Sequence, residues 1–139
     1  MANLSGFLKP AYFEKTAEAV ISDRFLDENG EPLKFIMKSM PQEKMKSIIA
    51  RSQKEVKSKG KVIGTEVDND LFVARCIVES CIQPDFKDKD ICEAYGCEDP
   101  YLVPQKMLFV DEYDKLGRMF LDLNGLDGSA IESLAVTKN

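Results

Sequence analysis

The chain has 139 residues, 31% of them charged and 44% hydrophobic, with a net charge of −5 and no histidine. A domain of this size buries about two-thirds of its unfolded surface and needs neither metal nor disulfide to hold a core. The acidic balance argues against a general nucleic-acid or anionic-membrane surface, and the missing imidazole removes Ser-His-Asp and Cys-His nucleophile systems and every zinc site that needs histidine.

No apolar run reaches the length of a membrane span, and Met1 to Pro10 lacks the basic start and apolar core of a signal peptide. The expected compartment is therefore the cytosol, where thiols stay reduced. The chain carries no Walker loop, no G-x-G-x-x-G and no CxxC.

In chain order, a short helix is expected around Tyr12 to Ala19. Ile21–Leu26 and Leu33–Met37 then alternate at period two about Asn29-Gly30, which suits a tight turn with positive φ. This predicts an antiparallel hairpin with Phe25, Leu33, Phe35 and Met37 on the buried face and Pro32 at a strand start or edge. Ser39 and Gln42 fit a capping box opening a helix to about Val56, with Met45, Ile48, Ile49, Ser52 and Val56 as its inner stripe. "KSKGKVIG" reads as a solvated connector with brief strand character at Val62-Ile63; a partner-binding basic loop is the sharper alternative.

Asp68, Asn69 and Asp70 open the next helix, which is expected to continue until Pro84. Arg75, Glu79 and Gln83 form one narrow polar stripe on an otherwise apolar rod, the mark of a central core helix. Cys76 and Cys81 lie on this rod, and Cys92 and Cys97 follow at the same C-x4-C spacing. Five positions on a continuous helix set two thiols about 140° apart at about 100° per residue. That geometry disfavours a shared metal ion, and packing as small hydrophobes is the preferred role. "DFKDKD" is acidic, but counted from Asp88 the calcium-loop pattern puts Cys92 and Glu93 on the third-ligand and glycine places, so it fails.

Asp88 is expected to cap a short helix to Tyr95 closed by Gly96, with Ile91 and Cys92 packing inward. "YLVPQKML" predicts a short helix near Met107 and Leu108. Asp111 then caps a clearer one with Tyr113, Leu116, Phe120 and Leu123 on one side, Asp111–Lys115 and Asp114–Arg118 pairs on the wet side, and Gly125 as the stop. The expected fold class is α+β: a mostly helical single domain with an N-terminal antiparallel β-hairpin packed on a helical bundle. It spans residues 1–127 and is followed by a flexible C-terminal tail, 128–139.

The ordered series "SDRFLDENGEPLKF", "DNDLFVARCIVESCIQPDF", "EAYG", "KMLFVDEYDKL" and "LNGLD" resembles the phage tail assembly chaperones of the XkdN-like kind, from about Ile21 to Asp127. The series carries the resemblance rather than any single motif. Val110-Asp111-Glu112-Tyr113 stands where the family often has a Pro-Gly-acid-Tyr turn, and the cysteines lie outside the pattern. The resemblance implies a non-enzymatic protein of the infected host's cytoplasm, without cofactor or metal. Such a protein binds the tape measure protein, helps tail tube subunits polymerise around it and is absent from the mature virion. Self-association is left open. The alternative is a structural tail or baseplate protein retained in the particle.

A holding surface for a long amphipathic client needs exposed apolar groups ringed by charge. Met107, Leu108, Phe109 and Val110 are the candidate partner-binding residues, with Met37 and Met40 as adaptable neighbours. The competing reading is that these residues simply close the core.

Overall fold

The computed structural model describes residues 4–8 and 15–126; the tail expected at 128–139 lies outside them. Among the described residues, six helices run in chain order as α1 (Leu4–Leu8), α2 (Gln42–Arg51), α3 (Asn69–Ser80), α4 (Lys89–Ala94), α5 (Val103–Met107) and α6 (Val110–Leu123), with a 3-10 turn at Pro100–Leu102. Five strands accompany them: β1 (Thr16–Ala19), β2 (Phe35–Lys38), β3 (Gln53–Ser58), β4 (Lys61–Val67) and β5 (Cys81–Gln83). They form an antiparallel three-stranded sheet in the order β1-β2-β5 and a separate two-stranded ribbon, β3-β4. The expected class, a mixed single domain of helices and antiparallel strands, is what the chain adopts.

Helix α3 is the centre. Phe72, Cys76, Ile77 and Val78 are buried along it, and α2, α5 and α6 pack around it. The sheet closes one side with Phe35 and Met37 of β2, both fully buried. Phe35 lies between Phe25 and Phe86, with ring centroids 6.0 and 6.5 Å away and tilted planes, a favoured aromatic arrangement.

Several local expectations are corrected. Thr16–Ala19 is a strand, not the end of a helix, and pairs with β2 (Ala17 opposite Met37); Tyr12, Phe13 and Glu14 lie outside the described residues. The expected hairpin therefore has a different first strand. Residues 20–34 form a long excursion, pinched where Leu26 bridges Pro32 and where the Asp27 carboxylate accepts from the N–H groups of Asn29 and Glu31. Phe35 and Met37 are buried as expected, Phe25 is half-buried, and Leu33 is exposed.

Helix α2 begins after Pro41 with no side-chain cap, so the Ser39–Gln42 capping box does not form. It ends at Arg51 rather than near Val56. The Ser52 hydroxyl donates back to the Ile48 carbonyl at 2.6 Å, and the Ser52 carbonyl accepts from the Asp68 N–H at 2.7 Å, turning the chain into the ribbon. Val56 is thus a strand residue, and "KSKGKVIG" is not a connector but the tip of a hairpin. Lys59 and Gly60 both have positive φ (53° and 80°), as a two-residue type I′ turn demands.

Helix α3 starts as expected, the Asp68 side chain accepting from the Leu71 N–H. It stops at Ser80, short of Pro84, because Cys81–Gln83 leaves to pair with β2. Cys81 therefore sits on a strand and not on the rod with Cys76, so no helical phase relates those two thiols. Helix α4 is capped by Asp88 as expected. Helix α6 is not capped by Asp111. Glu112 reaches back instead, its carboxylate accepting from the Phe109 N–H at 2.9 Å.

Candidate partner-binding surface

The four residues singled out in the sequence split into two pairs. Met107 ends α5 and Leu108 continues in extended backbone (φ −110°, ψ 146°), so both turn into the core, at 9% and 6% exposure. Phe109 and Val110 then open α6 on the outer side, at 62% and 90%. Of the two methionines named beside them, Met37 is fully buried and Met40 half-buried.

Phe109 is exposed yet held in place. The Arg24 guanidinium lies 4.3 Å from its ring centroid and 4.8 Å from that of Phe25. Arg24 also donates to the Met107 carbonyl at 3.1 Å and to both carboxylate oxygens of Glu112. Glu112 is buried. The Arg24 guanidinium, then the hydroxyl of Ser22 and the Phe109 N–H, hold its carboxyl at about 2 against the cost of burial. One ionic node thus ties the 20–34 excursion to the start of α6 and fixes an aromatic ledge at the surface.

From that ledge an apolar stripe descends along α6 at four-residue spacing: Phe109, Tyr113, Gly117 and Leu121. Tyr113, Gly117 and Leu121 line a groove of about 190 Å³ between α6 and α3, floored by Phe72, Cys76 and Ile77. An added Cβ at Gly117 would meet nothing within 4 Å, so the groove wall has room for a side chain there. The volume is below the roughly 300–1,000 Å³ of small-molecule sites. It suits inserted apolar side chains of another polypeptide. Arg118, paired with Asp114 at 2.9 Å, stands on the rim. It also borders a wider, shallower depression of about 610 Å³ between β1 and the other flank of α6.

A second buried carboxylate braces the opposite side of α3. Glu79 accepts from Lys44 at 2.9 Å, Lys87 at 2.7 Å and the Tyr101 hydroxyl at 2.6 Å. Burial pushes its carboxyl up, but the Lys87, Tyr101 and Lys44 hydrogen bonds outweigh that and hold it at about 2. Arg75 stacks on Tyr101 at 4.5 Å. The expected polar stripe on α3 is therefore a structural clasp, with Gln83 transferred to the sheet, where its amide donates to the Lys34 carbonyl.

All four cysteines are free thiols. Burial pushes Cys76 and Cys81 up to about 12, which removes thiolate reactivity. Among the described residues, no group of three or more Cys, Asp or Glu side chains is placed to hold a metal ion, and no helix is long and apolar enough to cross a membrane.

Sequence reasoning found the ledge but missed the groove and both clasps. Glycine inside a helical pattern carries no signal of what it faces, and Arg24–Glu112 is a contact across 88 positions.

The family model described as phage XkdN-like tail assembly chaperone protein matches residues 4–136. The chain is 33% identical to the protein YqbN of Bacillus subtilis (strain 168) over 141 aligned positions, covering 99% of this chain and 93% of that one. It is 36% identical to the phage-like element PBSX protein XkdN of the same organism, over 77% of this chain and 73% of that one. The crystal structure of the protein YqbN superposes with a TM-score of 0.73 at 29% identity, covering 91% of this chain and 99% of that one.

Proposed function

The chain belongs to the phage XkdN-like tail assembly chaperone family, and on that premise we propose that it is a non-catalytic holding factor for the tape measure protein during tail tube assembly. The observation that carries this reading is the apolar stripe from the Phe109 ledge through Tyr113 and Gly117 to Leu121, opening into the α3–α6 groove. A tape measure protein is a long chain with amphipathic helical stretches. One such helix laid along α6 would place apolar side chains on Phe109 and Val110 and into the groove, with Arg118 and Asp114 engaging its polar flank. The Arg24–Glu112 node keeps the ledge ordered before the client arrives, which lowers the entropy lost on binding.

The protein works in the host cytoplasm on this reading and leaves before the virion is complete. Co-expression with the long helical tail protein tests it. The client should become soluble and co-purify with this chain, and mass spectrometry of purified virions should find the chain missing. A client that stays insoluble, or stoichiometric retention of this chain in virions, contradicts the reading; the second result favours a structural tail or baseplate role.

A further inference from the structure

The β3-β4 ribbon has no role in the α6 groove and no partner in the described fold. Beyond its base, where Ser52 and Val67 are buried, it stands in solvent. Every residue of β4 except Val67 is exposed, including Val62 at 54% and Ile63 at 66%. Seven strand residues at about 3.3 Å each give an arm roughly 20 Å long. A two-stranded hairpin is marginal in water by itself, and this one leaves its outer edges unpaired among the described residues.

The arm also carries the opposite charge from the rest of the molecule. Residues 53–67 hold four lysines against two glutamates, a net +2, which leaves −7 for the remainder of a chain of −5. Lys57, Lys59 and Lys61 crowd the tip beside Gly60. A dense opposite charge on the body lies on the segment 85–99. There Asp85, Asp88, Asp90, Glu93, Glu98 and Asp99 are all exposed against Lys87 and Lys89, a net −4, and Lys87 is already drawn toward Glu79.

We propose that the arm of one copy docks on the acidic 85–99 surface of a second copy, so that the chain self-associates. Arm and acidic surface are different patches; docked in one direction they propagate into rings or open chains, and docked reciprocally, each arm on the other copy, they close a two-fold dimer. One slender arm buries little beside the roughly 800 Å² per partner of a standard interface. The association is therefore weak, steered by charge, with Val62 and Ile63 adding apolar contact. This inference does not depend on the client-binding reading of α6. Edge lysines also serve in proteins merely to block unwanted strand pairing, and the test separates the two roles.

Sedimentation velocity of the full chain is run across a concentration series at about 0.01 M and about 1 M salt, where the Debye length falls from about 30 Å to about 3 Å. At low salt the weight-average mass should climb with concentration above 15.6 kDa, and at high salt it should return to that value. K57E/K61E should remain monomeric at low salt, as should D90K/E93K/E98K. Mixing the two variants, or combining them in one chain, should restore the higher mass. Circular dichroism and Tm establish that each variant is folded. A wild-type mass of 15.6 kDa under all conditions overturns the proposal. So does unchanged association of folded K57E/K61E, which would mark the lysines as edge guards, or failure of the reversed pair to recover association. Nucleic acid that co-purifies with wild type and is lost in K57E/K61E, with the protein's own mass unaffected, also overturns it.

Discussion

Arg24 and Glu112, 88 positions apart, meet through two hydrogen bonds, Nε to Oε2 at 3.3 Å and Nη2 to Oε1 at 2.5 Å, and Glu112 also accepts from the Phe109 N–H. The pair therefore joins a loop, a helix start and an exposed aromatic ring in one unit. Glu112→Gln keeps the shape and one acceptor but removes the charge. It should lower stability by about 1–2 kcal/mol, read from the urea midpoint at unchanged slope. An unchanged midpoint would show that the node only decorates the surface.

Acid should act through the two buried carboxylates. Glu79 and Glu112 sit at about 2 in the folded protein against an ordinary 4.5. A depressed folded value means the contribution is fully present above the unfolded value and is lost as pH falls through the folded one. Stability should therefore decline between about pH 4.5 and pH 2. Glu79→Gln/Glu112→Gln should start lower and decline less steeply across that window. Chemical denaturation of both proteins at stepped pH measures this, and parallel curves would contradict it.

Gly117 separates folding from binding. Alanine there removes backbone freedom from the unfolded chain and meets open space, so Gly117→Ala should raise stability by roughly 0.5–1 kcal/mol. A bulky side chain at the same place fills the groove between α3 and α6. Gly117→Leu should fold normally and lose most co-purification of the tape measure client. Undiminished capture by folded Gly117→Leu would move the client elsewhere.

The thiols should sort by environment. Cys76 and Cys81, buried and pushed up to about 12, should resist alkylation at pH 8 in the folded protein. Half-buried Cys92 should be the first to react, and denaturant should expose all four. Intact-mass spectrometry over time reads the order. Early loss of the Cys76 thiol would mean that the centre of α3 opens readily.

Much of the helical part was legible because its signals are local. Asp68 and Asp88 cap α3 and α4 as their positions suggested, and Leu116, Phe120 and Leu123 turn inward on α6 at helical spacing. The misread places are where pairing across long sequence separations overrides a local pattern. Val56 falls on the helical stripe of Met45, Ile48 and Ile49, yet it pairs with Gly64 in the arm. Cys81 to Gln83 extend an apolar helix in sequence, yet β2, more than 40 residues earlier, claims them as a strand. The arm was hidden because its turn is Lys-Gly instead of Asn-Gly. At the surface site, composition marked all four of Met107 to Val110, but only the extended backbone at Leu108 decides that two face in and two face out.

The client-binding account is tested most directly by hydroxyl-radical footprinting of this chain alone and in its purified complex with the tape measure protein. Phe109, Tyr113 and Leu121 should lose most of their oxidation in the complex, while Leu26 and Val62, off the α6 stripe, keep theirs. Unprotected Phe109 and Tyr113 in a stoichiometric complex would contradict the account.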